Sequence, residues 1–219
     1  MAGLGLSCQQ CRAIPMVMLA FCCGALPFSV WLGRLFLGRD VRQYADGNPG
    51  AANVFRAGGR VVGVLALLLD VGKAAAPVGY AYFDLRCRGL PMFLIAAAPL
   101  LGHAFSPFLG FRGGKAIAAA LGAWIGLTLW RVSLAAVLLV VCGAAVFEAA
   151  GWAVMFALVG LAAVIGVLIP DPLLLAILGA QVVVLAWTHR AELRERPHLR
   201  PWLARRLRRA QNSRHDPLS

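Results

Sequence analysis

Residues 152–169 read WAVMFALVGLAAVIGVLI, a stretch of 18 residues without a charged side chain. A helix needs about 20 mainly apolar residues to cross the ~30 Å hydrocarbon core of a bilayer. Further apolar runs occupy 13–37, 61–82, 91–109, 116–130, 132–149 and 172–188. An open sheet would leave unpaired backbone groups in lipid, and the alternating segments of a barrel do not occur. The sequence therefore predicts an all-α fold, a polytopic membrane helical bundle with about seven transmembrane helices.

The composition agrees with a membrane protein. Of the 219 residues, 61% are hydrophobic and 14% are charged, and the mean hydropathy is +0.78. A soluble domain has about half apolar and a quarter charged residues, so a soluble protein is excluded. We predict a transmembrane domain at 1–190 and a basic tail at 191–219. The first apolar run is expected to remain as an uncleaved helix.

The net charge of +12 is distributed unevenly between the two ends of the predicted bundle. With the N-terminus outside, 16 Lys and Arg residues fall on one side of the membrane and four on the other. The positive-inside rule then places the C-terminus and the loops at 38–60 and 110–115 in the cytoplasm, with the protein in the inner membrane. The basic tail is expected to contact anionic membrane lipids. No aromatic-interleaved basic module accompanies the charge, so nucleic acid is not an expected partner.

The first polar segment, DGNPGAANVFR at 46–56, lies between the first two apolar runs. Gly47 and Gly50 allow positive φ and close backbone approach, so several N–H groups could point at one anion. Asn48 and Asn53 add neutral donors. Arg56 can pair with a phosphate and, three residues after Asn53, shares its helix face. An ordinary turn between helices is the alternative, and the Asn53–Arg56 spacing favours an anion site.

The second polar segment, GHAFSPFLGFRGGK at 102–115, ends where the fourth apolar run begins. Free N–H groups of a helix start would coincide there with Arg112, Gly113, Gly114 and Lys115, which is favourable for phosphate. It is not a nucleotide-binding P-loop, which requires a glycine where Leu109 stands and Ser or Thr after the lysine. A structural positive-inside anchor is the alternative. His103 and Ser106 in the same segment make a functional role more convincing.

Two smaller features complete the candidates. His189 and Arg190 end the seventh apolar run, where cations also compensate the helix dipole, so that a structural role is the alternative. Asp70 and Lys73 lie within the second run, three residues apart, and can form an ion pair that lowers the cost of burying either charge. Such a pair is either structural or part of a site. The histidine and acidic residues lack metal-ligand spacing, so neither a metal nor another cofactor is expected.

The polar segments together resemble the integral-membrane acyl-phosphate:glycerol-3-phosphate acyltransferases of bacteria. The first is similar to the family pattern S-G-N-x-G-A-T-N-V-x-R. The second matches G-H-x-F-S-P-F-L-x-F-K/R-G-G-K throughout, and a third segment, HRAE at 189–192, is similar to H-R-x-N. The resemblance extends from about residue 20 to residue 194. It includes GALPF at 24–28, LGRL at 32–35 and LDVGK at 69–73.

The sequence departs from the family pattern at three positions. Asp46 replaces its opening serine, Ala52 its threonine and Glu192 the asparagine of the third segment. Ionised carboxylates only accept hydrogen bonds and would repel phosphate, whereas serine and asparagine can donate to it. Asp46 and Glu192 are therefore expected to orient Arg56, Arg190 or Lys115, or to bind the free hydroxyl of the acceptor.

The resemblance implies transfer of a fatty acyl group from acyl phosphate to the sn-1 hydroxyl of glycerol 3-phosphate. The products would be lysophosphatidic acid and phosphate. Acyl phosphate has a good leaving group, so no protein nucleophile is needed, and positioning and charge stabilisation suffice. The acyl chain would occupy a groove between helices. The enzyme that makes acyl phosphate is a candidate partner.

The residues expected to act in this reaction fall into groups. The first segment would hold one phosphate through Gly47, Asn48, Gly50, Asn53 and Arg56. The second would hold the other phosphate or the carbonyl oxyanion through Ser106, Arg112, Gly113, Gly114 and Lys115, and Arg190 would add a further cation for substrate. The proton of the hydroxyl would go to His103, to His189 or to the departing phosphate. These three alternatives stay open from the sequence.

Two other functions fit the same residues. A transporter of a phosphorylated metabolite would share the basic pocket, although its broken helices would lie near the midplane rather than at cytoplasmic helix ends. An inactive or divergent paralogue would explain the acidic residues at positions 46 and 192.

Overall fold

The apolar runs form helices in the computed structural model. It describes the backbone of residues 8–206 and the side chains of residues 13–206. The helices are α1 Cys8–Ala25, α2 Phe28–Leu37, α3 Ala51–Arg56, α4 Arg60–Gly79, α5 Gly89–Ala104, α6 Ile117–Thr128, α7 Trp130–Val146, α8 Ala150–Leu168, α9 Pro172–Thr188 and α10 Arg190–Leu193. Within the described residues, the β structure is limited to one isolated antiparallel bridge between Phe147 and Leu199. The all-α prediction is confirmed.

The helices reproduce the predicted membrane segments. Four stretches are long and apolar enough to cross a membrane: Ala13–Leu37, Arg60–Asp84, Gly89–Leu109 and Ala150–Leu168. Three shorter apolar helices, Ile117–Thr128, Trp130–Val146 and Pro172–Thr188, correspond to the remaining runs. The first span is interrupted between α1 and α2 at Pro27, because proline cannot donate a helical hydrogen bond. The second continues α4 through a π-helical turn at Tyr80–Asp84.

Glycines allow the spanning helices to approach closely. A Cβ on Gly24 would lie 2.3 Å from the carbonyl oxygen of Pro99, where α1 crosses α5. A Cβ on Gly122 would lie 2.2 Å from the carbonyl oxygen of Val71, where α6 crosses α4. Helices in lipid associate through such close packing of small residues, because lipid tails are as apolar as leucine side chains. The glycines therefore hold together the helices whose ends carry the polar segments.

Replacing Gly102 with alanine is expected to destabilise the bundle. The added Cβ would lie 2.2 Å from the carbonyl oxygen of Phe21, so α1 and α5 would have to separate. Such overpacking costs about 1–3 kcal/mol. Gly166→Ala in α8 is the matched control, since a Cβ there meets nothing within 4 Å. We expect a lower melting temperature in detergent for Gly102→Ala only. Equal melting temperatures would show that this crossing does not limit stability.

The loops that carry the polar segments lie at one end of the bundle. The chain turns after α2 at Gly38, with φ of 61°, and returns through α3. The loop between α5 and α6 reaches the same end, where the backbone N–H of Lys115 donates to Oδ1 of Asn48 at 3.1 Å. Helix α10 also arrives there, because Oε2 of Glu192 accepts from the N–H of Gly151 in α8. The site is thus assembled from residues far apart in sequence.

Part of the predicted basic tail is described. Arg200 donates its backbone N–H to the carbonyl of Val146 at 2.9 Å, and His198 accepts from the N–H of Glu148 at 3.0 Å. Residues 191–206 therefore contact the connection between α7 and α8. The rest of the tail, residues 207–219, lies outside the described residues. The predicted boundary at residue 190 stays a prediction.

Candidate functional site

The three polar segments meet around one cavity of about 330 Å³. The first segment contributes residues 46–49 and the second residues 104, 105 and 111–115, whereas Trp187 and Thr188 come from the end of α9 and Arg190 from the start of α10. Of the candidate residues, Asp46, Gly47, Asn48, Arg112, Gly113, Gly114, Lys115 and Arg190 line this cavity. The structure therefore brings together the three polar segments that the sequence analysis selected as candidates.

Lys115 lies between the two acidic residues. Its ammonium donates to Oδ2 of Asp46 at 2.6 Å and also to Oε1 of Glu192. The side chain of Lys115 is 21% exposed, so the ammonium can still meet a ligand in the cavity. Of the roles considered for Asp46 and Glu192, the structure supports orientation of Lys115. The second carboxylate of this arrangement comes from α10, 77 residues further along the chain.

The charges of this cluster stabilise one another. Burial is the largest single influence and acts to raise the pKa of Asp46, but the hydrogen bond and charge of Lys115, together with hydrogen bonds from Asn48 and Asn53, outweigh it, and the pKa is lowered. Burial is again the largest single influence and acts to raise the pKa of Glu192, but the hydrogen bonds from Lys115 and Gly151 and the charge of Lys115 together produce a net lowering. Burial acts to lower the pKa of Lys115, whereas its bonds to both carboxylates raise it. All three groups are therefore charged at neutral pH, and together they carry one negative charge.

The guanidinium groups of Arg112 and Arg190 compensate this negative charge. Both side chains are exposed and line the cavity. Arg190 donates to the carbonyl oxygen of Trp187 at 2.8 Å and lies 4.6 Å from the centre of its ring, which fixes its direction. Among the described residues, no carboxylate lies within ion-pair distance of either arginine. Each can therefore bind a phosphate through two parallel N–H groups.

The first segment is organised differently from our expectation. Asn53 is fully buried, and its amide nitrogen contacts the carbonyl oxygens of Tyr44 and Asn48, both at 2.9 Å, and Oδ1 of Asp46 at 3.1 Å. The amide group of Asn53 thus folds the loop, and the binding of an anion by Asn53 stays a prediction. The shared helix face is confirmed, since Arg56 donates to Oδ1 of Asn53 at 2.7 Å.

Two other members of the first segment lie away from the cavity lining. Arg56 is exposed but is not among the residues around the cavity, and the buried Gly50 is also absent from its wall. Gly50 donates its backbone N–H to the carbonyl oxygen of Asn48 at 2.9 Å, and Gly47 donates to Tyr44 at 3.0 Å. The N–H groups of Gly47 and Gly50 are therefore already bonded within the loop and do not form the expected group of free donors around an anion.

The glycines of the second segment serve close packing rather than free donation. The N–H groups of Gly113 and Gly114 donate to the carbonyl oxygens of Ala104 and His103, at 3.1 and 3.0 Å. The expectation that these N–H groups are free at a helix start is therefore wrong. A Cβ on Gly114 would lie 2.4 Å from Nε2 of His103, and one on Gly113 would lie 2.0 Å from the carbonyl oxygen of His103. Only glycine lets the loop pass the end of α5 this closely.

A buried polar cluster lies beside the cavity. Lys73 donates to Oδ1 of Asp70 at 2.7 Å and to the carbonyl oxygen of Leu26 at 2.6 Å. Ser29 donates to the other oxygen of Asp70 at 2.7 Å, so the predicted ion pair is confirmed and both of its charges are bonded. Lys73 also lines a small crevice together with His103, Ser106 and Gly114, and Gly114 in turn borders the main cavity.

His103 and Ser106 occupy this crevice rather than the main cavity. The hydroxyl of Ser106 donates to the carbonyl oxygen of Ala25 at 2.6 Å and is buried, so its proton is already used. Nδ1 of His103 is buried and has no protein partner among the described residues. His103 therefore keeps a ring nitrogen that can take part in proton transfer.

His189 is held by the end of α9. Its Nδ1 lies 2.8 Å from the carbonyl oxygen of Leu185, which can only accept, so Nδ1 carries the hydrogen. Nε2 is then the basic nitrogen, and within the described chain this buried atom has no partner. Burial lowers the pKa of His189 below its usual range, which favours the neutral imidazole. The ring does not line the main cavity.

The sequence analysis missed two cavity residues at the end of α9, Thr188 and Trp187. Thr188 places its hydroxyl 3.1 Å from the carbonyl oxygens of both Lys115 and Leu185, and so connects the end of α9 to the second segment. Trp187 carries the guanidinium of Arg190 on its ring. Their position directly before His189 was the available signal. Among the described residues, no group of three or more His, Cys, Asp or Glu side chains could hold a metal ion.

A second, apolar cavity of about 280 Å³ lies between α4 and α6–α9. It contains Ile117, two residues after Lys115, and Leu185, three residues before Thr188. The apolar cavity thus begins about one helical turn from the polar one, because each residue adds about 1.5 Å along a helix. The charged cavity and the apolar, hydrocarbon-like cavity thus lie next to each other.

The chain is similar to proteins of one family. The family model described as "Glycerol-3-phosphate acyltransferase" matches residues 14–196. A protein of that name from Aromatoleum aromaticum is 33% identical over 82% of this chain and 90% of its own length. A namesake from Anaeromyxobacter sp. strain Fw109-5 is 43% identical over 56% of this chain, and the match spans only 62% of that relative.

A solved structure shares the fold. It is the crystal structure of an integral membrane glycerol 3-phosphate acyltransferase in its glycerol 3-phosphate form, with a TM-score of 0.77 and 26% identity. The match covers 88% of this chain and 98% of that one. A second structure, described as the lysophosphatidic acid form, has a TM-score of 0.73 and 25% identity over 84% of this chain and 90% of its own.

Proposed function

Because the chain belongs to the glycerol-3-phosphate acyltransferase family, we propose that it transfers a fatty acyl group to glycerol 3-phosphate. We further propose acyl phosphate as the donor and the sn-1 hydroxyl as the acceptor, with lysophosphatidic acid and phosphate as products. The observation that carries this proposal is the arrangement of Arg112, Lys115 and Arg190 around one polar cavity beside an apolar one. Both substrates carry phosphate, and the donor also carries a long apolar chain.

The charges of the polar cavity suit two phosphorylated substrates. Among the described residues that line the polar cavity, Arg112 and Arg190 are the cations without a carboxylate partner, and so the phosphate of glycerol 3-phosphate is assigned to them. Lys115 lies where the second segment enters α6, beside the start of the apolar cavity. It is assigned to the donor, whose carbonyl oxygen becomes negative during attack and is stabilised by the ammonium.

The reaction itself needs no acyl-enzyme intermediate. The sn-1 oxygen attacks the carbonyl carbon, and the bond from that carbon to the phosphate oxygen breaks, with the electron pair leaving on the phosphate. The hydroxyl proton goes to the departing phosphate or to a histidine. Neither imidazole lines the main cavity, which favours the phosphate. The protein's share is to align the two substrates and to neutralise their charges.

We also propose that the protein lies in the inner membrane with the site and the C-terminus in the cytoplasm. Apart from Lys73, the sequence assigns 16 Lys and Arg residues to the side of the site and four to the other, as the positive-inside rule requires. Glycerol 3-phosphate is soluble, whereas acyl phosphate carries an acyl chain. The proposed partner is therefore a membrane-associated enzyme that makes acyl phosphate and supplies it to this protein.

A donor assay tests the proposed function. Purified protein is supplied with glycerol 3-phosphate and with acyl phosphate, acyl-CoA or acyl-carrier protein carrying the same acyl chain. We expect lysophosphatidic acid and phosphate with acyl phosphate, and product only there. Product with another donor alone would overturn the assignment of acyl phosphate. Absence of product with every donor, together with uptake of glycerol 3-phosphate into proteoliposomes, would favour the transporter.

The two acidic residues give a prediction about substrate affinity. Replacing Asp46 with serine and Glu192 with asparagine is expected to lower the KM for the phosphorylated substrates by about fivefold per charge, because charges about 4 Å apart interact by about 1 kcal/mol in a water-like medium. Steady-state kinetics of each single variant and the double variant measure this change. Glu195→Gln is the control, since Glu195 is exposed and forms no ion pair among the described residues.

The same variants test the paralogue hypothesis. If the natural chain makes no product and the double variant does, Asp46 and Glu192 block the reaction and the chain is an inactive member of the family. If the KM of the active enzyme is unchanged or rises in the double variant, the two carboxylates do not oppose substrate binding.

A further inference from the structure

The apolar cavity has a defined direction relative to the polar site. On α6 its lining runs from Ile117 to Trp124, a distance of about 10 Å by helix rise. On α8 it runs from Val154 to Leu161, away from the end that carries Gly151. Trp124 and Leu161 are therefore the lining residues farthest from Lys115 on their helices. The cavity is a pocket that leads from the polar site into the membrane interior.

The side of this pocket is open to lipid. Leu67 on α4 and Val137 and Val141 on α7 line the pocket and are also 40%, 40% and 61% exposed. A lipid-borne molecule can therefore enter between α4 and α7 without passing through water. Under the proposed function, the molecule that must reach Lys115 from this direction is the acyl chain of the donor.

The deep part of the pocket contains a hydrogen-bonded pair in otherwise apolar surroundings. Nε1 of Trp124 donates to Oε1 of Gln181 at 2.8 Å, and each residue is 1% exposed. Gln181 in turn places its amide nitrogen 3.5 Å from the carbonyl oxygen of Ala120. Trp124 is the largest of the fully buried side chains. Among the residues that line the pocket, Gln181 carries the only side-chain amide.

The pair fixes the position of the indole ring. A buried indole N–H requires an acceptor, since an unsatisfied polar group in an apolar environment costs free energy. Leucine or alanine at position 181 could fill the helix interface but would remove this acceptor of the indole N–H. A glutamine there holds the indole in one orientation, so that the ring cannot rotate away when a chain presses on it.

We propose that Trp124, held by Gln181, ends the acyl-chain pocket and sets the preferred length of the acyl chain. The carbonyl end of the chain lies beside Lys115, and its methyl end reaches the indole. A longer chain has to turn out between α4 and α7, where it gains no contact with the pocket walls. This inference rests on the proposed function, because it assumes an acyl donor at Lys115.

Two variants that change the pocket in opposite directions test the inference. Trp124→Leu deepens it, and Ala157→Leu, on the α8 wall, narrows it. The measurement is kcat/KM for saturated acyl phosphates of increasing length with glycerol 3-phosphate as acceptor. We expect Trp124→Leu to favour longer chains by about fourfold for each methylene that the new space admits. Ala157→Leu is expected to favour shorter chains. Gln181→Leu is expected to broaden the preference.

The control and the opposing outcomes are distinct. Val167→Ala lies on α8 outside the pocket and is 78% exposed, so its length profile should match the natural chain. If Trp124→Leu does not fold, the shift of Ala157→Leu still tests the pocket. Acyl transfer by the natural chain with unchanged profiles in the folded variants would overturn the role of Trp124 and leave the proposed function intact. No transfer by the natural chain at any length would overturn the proposed function itself.

Discussion

Replacing Lys115 with alanine is expected to lower kcat/KM for acyl transfer by roughly 10²–10³-fold, the usual effect of losing one group that stabilises a developing oxyanion. In this site the loss has a second cost. Asp46 and Glu192 both bond to the ammonium, so without it two carboxylates would face each other and the incoming phosphates. Electrostatics at the cavity would then change from one net negative charge in this cluster to two.

The measurement is steady-state acyl transfer with the variant purified in parallel with the natural chain. Arg131→Ala is a matched control, because Arg131 is exposed at the opposite end of the bundle and lies far from Lys115 in the fold. Lys115→Arg is expected to recover little activity, since a planar guanidinium does not replace a compact ammonium between two carboxylates. Activity of Lys115→Ala close to the natural level would remove Lys115 from the site.

The membrane helices could be predicted from sequence because their signal is local. A run such as 152–169 has to be helical in lipid whatever surrounds it, since every backbone polar group must be bonded within the segment. The same reasoning predicts a helix in the apolar run at 116–130, where the structure has the 12-residue helix α6. The break at Pro27 inside the first run was not foreseen, although proline carries the signal for it.

The sequence predicts which residues lie at the site better than it predicts the hydrogen bonds that they form. Polar residues concentrated in loops at one predicted membrane face had few other reasons to be there. Which donors are free is a property of the tertiary structure. The side-chain amide of Asn53 donates to Tyr44, Asp46 and Asn48. The N–H groups of Gly113 and Gly114 donate to carbonyl oxygens at the end of α5. Nothing in the local pattern distinguishes a donor that binds a ligand from one that closes a loop.

The contact between Lys115 and Glu192 illustrates the same limit. The residues are 77 positions apart, and the four helices α6 to α9 lie between them in the chain. The sequence suggested three cations that the acidic residues could orient, and chemistry alone ranks them equally. Only the packing of α10 against α8, with the N–H of Gly151 holding one oxygen of Glu192, directs the other oxygen to Lys115.

The Asp70–Lys73 pair gives the largest expected effect on stability. Both side chains are almost fully buried, at 2% and 3% exposure. Asp70→Asn leaves the buried ammonium of Lys73 without a negatively charged partner. Breaking a buried ion pair in this way costs about 3–5 kcal/mol. We expect a marked drop in the melting temperature in detergent, whereas Asp40→Asn, which removes exposed ion pairs, should cost at most about 1 kcal/mol.

The double variant Asp70→Asn, Lys73→Met separates the two roles that the sequence left open. It removes both charges, so most of the lost stability should return, because the penalty of the single variant comes from the unpaired charge rather than from the missing attraction. If the pair is structural, acyl transfer should return with stability. If Lys73 also acts through the crevice that it shares with His103, a stable double variant should remain slow, with kcat lowered and KM nearly unchanged. A double variant as unstable as Asp70→Asn would instead show that the hydrogen bonds to Ser29 and Leu26, rather than charge pairing, hold α4 against the first span.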